Sequence, residues 1–468
     1  MVTAHFEEIR SLRREAQFAE AIQKADAILS ELSPSAHQKR AELLIEKTQC
    51  YRYQRNYEAA EQSAQKAIQA AIQSPPALKE HGRALTELGI ILFFGILRNK
   101  EAEQAIKEAK KIFSEIKDNN GLAYALSYLG ALHYFLGEID KADRFSKQGL
   151  QLIDALEEIN EIVEVKIIRA IVCVVLTGDR SRAEALLEES LALCEPLTYR
   201  GNSAWALYNL GVVHFFQGEH SKAETLYRQS LGIMLEDDAQ VGVRLTVTPY
   251  LLILALLAQN SLEPAEAELK KYGELVAKAH FPNVKTLARG YYHLSFGQFK
   301  LLKHDLGSAL EHGLKAKQAA AEINYLSGQI EVLQFLIQAH LRLYLSTRQE
   351  DTKEKVQEFL EEIEELSKQE SYRHRHIKAI IVRGFLKRAD FDLTGANEEF
   401  QLAETLAEKH GFDELAKQAH DEATHLRGQT TTLQRLMTRS PDQYEQMQMQ
   451  DLLSYLEGAR RAIGKEED

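Results

Sequence analysis

Leu210-Gly-Val-Val-His-Phe-Phe-Gln-Gly-Glu-His-Ser-Lys-Ala223 is the stretch that decides the fold. An apolar run at helical spacing stops at Gln217-Gly218, because glycine takes the left-handed position after a helix without a Cβ clash. A second helical run starts at once, with a small residue, Ala223, five places after the turn. The same device recurs in Gly137-Glu-Ile-Asp-Lys-Ala142 and in Gly178-Asp-Arg-Ser-Arg-Ala183. The ladder of small positions is Ala21, Ala60, Ala102, Ala142, Ala183, Ala223, Ala265, Ala309, Val356 and Ala396. Its steps are 39, 42, 40, 41, 40, 42, 44, 47 and 40 residues. A fixed period of this size means stacked helical hairpins, each unable to bury its apolar face alone.

Composition agrees. The 468 residues include only 8 prolines, as a nearly all-helical chain requires. A net charge of −12 argues against a nucleic-acid binder, which needs a basic footprint to displace counterions. Cys50, Cys173 and Cys194 share no CxxC spacing and read as buried free thiols, which fits a reducing, cytoplasmic setting. Met1 to Arg10 lacks the basic and apolar regions of a signal peptide. The most apolar run, Tyr250 to Ala258, is roughly half the length of a membrane span and reads as a buried repeat helix.

The repeat resembles the tetratricopeptide repeat. Leu210-Gly211, Gly218, Ala223, Tyr227 and Ser230 stand where that family places its Leu-Gly pair, turn glycine, alanine, aromatic and final small residue. Leu129-Gly130 with Gly137 and Ala142 repeats the pattern, and Leu88-Gly89 gives a third copy of the pair. The period exceeds the usual 34 residues, and Asn209-Leu210-Gly211 is similar to the long repeats of kinesin light chains. The first unit lacks the Leu-Gly pair. The ninth is degenerate, with Val356 at the small position, and the third has one residue too many at Phe93-Phe-Gly95. The resemblance implies an all-α, right-handed α-solenoid of about ten helix pairs over 1–410, followed by capping helices over 411–463 and a disordered tail over 464–468. Within the cap, one helix is expected from Lys417 to Thr438 and another from Tyr444 to Ile463, started by Ser440-Pro441-Asp442.

In such a solenoid the first helix of each pair lines the concave side. That register turns Tyr124, Tyr128, Tyr134 and Phe135 inward in the fourth unit, and Trp205, Tyr208, Val212, Phe215 and Phe216 in the sixth. Tyr250 follows in the next. Helices apolar on more than one face demand cover. Either the superhelix winds tightly enough for its inner faces to pack together, or a ligand segment lies there. Asn209 is the polar candidate for gripping a peptide backbone, and Glu42, Glu46, Arg52 and Arg83 place charge toward the N-terminal units.

Catalytic and metal signals are lacking: no HExxH, GxxxxGK[ST] or GxSxG occurs, and His374 and His376 are two apart, off a shared helical face. The expected function is non-enzymatic and needs no cofactor. The chain would be a scaffold or adaptor holding a peptide or helix of a partner protein in the concave aromatic groove, as monomer or homodimer, without nucleic acid or membrane insertion. The alternative is a sensor, or signalling-peptide receptor, whose superhelical pitch changes on binding.

Overall fold

The computed structural model describes residues 2–73, 77–176, 179–197, 200–236, 241–323, 326–347, 349–367, 373–390, 392–410 and 413–437. These residues form helices, turns and loops, with no strand among them. They make two compact units, the first comprising 1–303 and 315–325 and the second the rest. Helices of the first unit are α1 (Val2–Arg14), α2 (Phe18–Glu31), α3 (His37–Tyr53), α4 (Tyr57–Ala71), α5 (Leu78–Ile90), α6 (Asn99–Ile116), α7 (Asn119–Phe135) and α8 (Ile139–Gln151). They continue with α9 (Ile159–Leu176), α10 (Arg180–Cys194), α11 (Gly201–Phe216), α12 (His220–Leu235), α13 (Val243–Ala258), α14 (Leu262–Ala277) and α15 (Pro282–Leu302). The C-terminal half of α16 (Leu306–Glu322) belongs to the first unit and its N-terminal half to the second. The second unit adds α17 (Leu326–Thr347), α18 (Glu350–Ser367), α19 (Arg373–Ala389), α20 (Leu393–His410) and α21 (Asp413–Met437).

The ladder read from sequence is the packing spine. All ten small positions, from Ala21 to Ala396, are fully buried. Seven of them follow, five residues later, a residue in the left-handed region: Ala16, Arg55, Leu97, Gly137, Gly218, Asn260 and His304. Gly178, five residues before Ala183, lies outside the described residues. Each left-handed residue reverses the chain, and each ladder residue lets the second helix lie close against the first. The Leu-Gly glycines serve that same approach. A methyl group built on Gly211 would sit 2.6 Å from Tyr227 Cε1, and one on Gly130 would sit 2.9 Å from the Ser146 backbone nitrogen. Serines on the second helix then tie back to the first: Ser230 Oγ donates to the Ala204 carbonyl at 2.7 Å and Ser63 Oγ to the Leu44 carbonyl at 3.0 Å.

Within the first unit, α3 packs on α4, α5 on α6, and so on to α13 on α14, and each first helix also touches the next first helix. That second set of contacts brings α3, α5, α7, α9, α11 and α13 side by side. The surplus residue of the third repeat is absorbed in a π-helical turn, Ile91–Ile96, between α5 and the left-handed Leu97. In the second unit Gly384 meets Phe400 as Gly211 meets Tyr227, and Ile377, Ile380, Ile381, Phe400 and Leu426 form its core with the alanines of α20 and α21. Each fully buried isoleucine there contributes about 1.5–3 kcal/mol. The segment 438–468, which holds the expected last helix and tail, lies outside the described residues. No described helix is long and apolar enough to cross a membrane.

Two glycines in one hairpin separate packing from backbone strain. Gly211→Ala must displace the Tyr227 ring and is expected to destabilise by about 1–3 kcal/mol. Gly218→Ala meets nothing within 4 Å but keeps φ at +79°, so about 1 kcal/mol is expected. Thermal unfolding of the two variants checks the order, and equal losses would contradict close helix approach as the role of the Leu-Gly pair.

Candidate functional site

The inward faces of the first helices carry charged and polar groups at helical spacing: Glu46, Gln49 and Arg52 on α3, Arg83 and Glu87 on α5, Glu161 and Glu164 on α9. Stacking brings them into one buried network. Arg52 Nε lies 2.9 Å from Glu87 Oε2, and Gln49 Nε2 donates to Glu87 Oε1 at 2.8 Å. Arg52 also donates through Nη1 to Glu164 Oε1 at 3.3 Å and through Nη2 to the Tyr124 hydroxyl at 3.2 Å. Tyr124 and Tyr128 both donate their hydroxyls to Glu164 Oε2. Four helices are thereby joined at one guanidinium.

Burial alone would raise the pKa of Glu164, but Arg52 and the two tyrosine hydroxyls outweigh it and hold the carboxyl below its ordinary range. Glu46 behaves alike, burial being outweighed by Arg13 and Arg10. Glu161 goes the other way. Burial, with Glu87 and Glu158 nearby, pushes it up to about 7 despite Arg83 at 3.5 Å.

The first unit also closes on itself. Arg13 spans Glu46 on α3 at 2.8 Å and Glu158, just before α9, at 3.6 Å, while Arg14 reaches Glu158 at 2.7 Å. Asn283 Nδ2 on α15 donates to the Leu97 carbonyl at 3.0 Å, across 186 residues. The same unit holds a cavity of about 570 Å³, lined by Phe18, Arg52, Arg55, Tyr57, Phe94, Glu164, Arg200, Asn202, Trp205, Glu236 and Arg244, among others. Phe94, turned inward by the π-helical turn, meets Tyr128 and Trp205 edge-on with ring centres 5.9 and 5.6 Å apart. The Arg244 guanidinium lies over the Trp205 ring at 3.8 Å and the Phe94 ring at 4.7 Å.

Of the residues picked from sequence, Trp205 lies on the cavity wall. Tyr124 and Tyr128 are buried one layer behind it, on Glu164. Asn209 is buried and spends its Nδ2 on its own helix, at 2.8 Å from the Trp205 carbonyl. Tyr250 is buried against Tyr291, with ring centres 4.7 Å apart. Tyr134, Phe135, Tyr208, Val212 and Phe215 are half-buried, whereas Phe216 is 50% exposed. Arg52 was legible as a groove charge. Arg244 was not: it is a lone cation on an otherwise apolar helix, with no spacing to mark it. Phe94 had a signal, the extra residue beside it. The three cysteines are free and buried, and burial raises each thiol pKa.

Residues 169–236 match the family profile of the tetratricopeptide repeat. A solved Rap protein, complexed with competence and sporulation factor, is 15% identical with a TM-score of 0.54, over 83% of this chain and 99% of that one. NprR in complex with its cognate peptide NprX is 14% identical with a TM-score of 0.50, over 77% of this chain and 98% of that one. At these identities the likeness concerns the fold. No curated protein sequence matches the chain. Tetratricopeptide repeats account for residues 169–236, and beyond them the likeness is one of helical architecture.

The network makes two stability predictions. Arg52→Ala leaves Glu87 and Glu164 buried without their cation and should cost about 3–5 kcal/mol, read as a lowered unfolding midpoint. Glu161 has its folded pKa raised above the unfolded value, so its contribution is present below about pH 4.5 and lost as pH rises through about 7. Glu161→Gln should therefore match the wild type at pH 4 and exceed it by up to about 3 kcal/mol at pH 8. A difference in melting temperature that does not change with pH would contradict this.

Proposed function

We propose that the first unit is a peptide-binding module whose ligand enters the cavity beside Trp205, and that the protein works by binding rather than by catalysis. The observation that carries this reading is the cavity itself. Its volume of about 570 Å³ falls within the usual range of ligand sites, and its wall combines aromatic faces with a few placed polar groups. A helix with its side chains is about 10–12 Å across, so such a volume admits only about a turn of one and suits a short extended segment better. The Rap and NprR structures, each solved with its named factor or peptide, support the same reading for a chain of this architecture. Tyr208, Val212 and Phe215, half-buried on the same helix as Trp205, would extend the contact beyond the cavity, with Phe216 at its outer edge. Tyr124, Tyr128 and Tyr250 would shape the wall from behind, Asn209 would fix Trp205, and Tyr134 and Phe135 would flank the fourth repeat.

The sensor alternative draws on the two closures. A guest held between α3, α9, α11 and α13 would bridge helices of the unit that these contacts, spanning 144 and 186 residues, hold together, so its binding would shift the pitch of that unit. A static scaffold has no need of such ties.

Panning a random short-peptide library against the protein tests the proposal. Selected peptides should bind Trp205→Ala at least about thirtyfold more weakly, the loss expected of a central aromatic anchor. The double variant Tyr208→Ala, Phe215→Ala should weaken binding while circular dichroism still shows a folded helical chain. A library with no binders, or binders indifferent to Trp205, would overturn it. X-ray scattering with and without a selected peptide separates sensor from scaffold, since only the sensor changes dimensions.

A further inference from the structure

The cavity wall carries four arginines, Arg52, Arg55, Arg200 and Arg244, against two glutamates, Glu164 and Glu236. In a chain of net charge −12 this is a local excess of positive charge. Two of the four are committed. Arg52 is held by Glu87 and Glu164, and Arg200 faces Glu236 at 3.2 Å. Arg55 and Arg244 have no ion pair among the described residues, and Arg55 Nη1 and Arg244 Nε are buried without a hydrogen-bond partner. Buried donors of this kind cost stability unless something accepts from them.

Both are also held in place. The Trp205 and Phe94 rings hold the Arg244 guanidinium against the wall, and its Nε is left without an acceptor. Arg55 occupies the left-handed turn position, at φ +57°, which Gly137 and Gly218 fill in other hairpins. A non-glycine residue pays about 1–2 kcal/mol there. Tyr57 marks where the cations converge: burial raises its pKa, and Arg244, Arg55 and Arg52 all act against that rise.

We propose that Arg55 and Arg244 form a carboxylate-binding end of the cavity, so that the peptide it takes carries a free C-terminus or an acidic side chain there. This rests on the peptide-binding reading and names the chemistry that reading leaves open. Planar guanidinium forks accept a carboxylate through paired N–H···O bonds, which an amide or an apolar end cannot replace.

Three pools of random hexapeptides test it: neutral residues with a free C-terminus, end-capped peptides with one glutamate, and end-capped neutral peptides. Retention is read by mass spectrometry, and affinities of the retained peptides by calorimetry. The wild type should favour one of the first two pools by about thirtyfold or more over the third, and which pool wins tells terminus from side chain. Arg244→Met and Arg55→Asn should each abolish that preference. Asparagine tolerates a left-handed turn, so Arg55→Asn should keep the wild-type melting temperature and remove only the charge. Equal retention of the capped neutral pool, unaffected by both variants, would overturn carboxylate recognition and leave peptide binding standing. No retention from any pool would overturn both.

Discussion

Four first helices of the first unit meet at the Arg52 guanidinium. Its contacts reach α5, α7 and α9 from α3, so one side chain reports the spacing of four hairpins at once. Taking that cation and the Glu87 and Glu164 carboxylates out of water carries a large desolvation cost, offset by their mutual attraction even though Arg52 Nε and Glu87 Oε2, 2.9 Å apart, miss hydrogen-bond geometry. Glu164 is the best compensated of the three: it accepts from Arg52 and from two tyrosine hydroxyls, which hold its carboxyl below the ordinary range. Apolar stacking between hairpins would tolerate small slides. A charged hub does not, which ties the pitch of these repeats to a few polar atoms.

The periodic part of this molecule was legible because it is local. A left-handed turn, a small residue five places on, and a glycine where the paired helices cross are all properties of one hairpin, and the sequence writes them out each time. The surplus residue at Phe93-Phe-Gly95 was visible for the same reason. The inward aromatic residues were also legible, though whether they face a guest or one another depends on how tightly the repeats wind. Winding is fixed by contacts such as Arg14 with Glu158 and Arg52 with Glu164, across 144 and 112 residues. No period can foretell them. Asn209 shows the limit at single-residue scale, since its choice between a ligand and the carbonyl four residues back leaves no trace in the pattern.

The inner surface is packed in one place and open in another. Tyr124, Tyr128 and Tyr250 are packed away, so part of the inner wall covers itself. Beside Trp205 a space remains, walled by aromatic and aliphatic side chains together with arginines and glutamates.

The π-helical turn at Ile91–Ile96 has a consequence for the array as a whole. A residue inserted into an ordinary helix rotates everything after it by about 100°, because 3.6 residues complete each turn. Carried forward, that phase error would swing every later contact off its partner. Widening a single coil confines the error to six residues, and the chain re-emerges at Leu97 with its timing restored. The ring expelled by this local correction is Phe94, which becomes the inner platform for Arg244. A counting mismatch in one hairpin thereby supplies the asymmetry that an evenly spaced stack would lack.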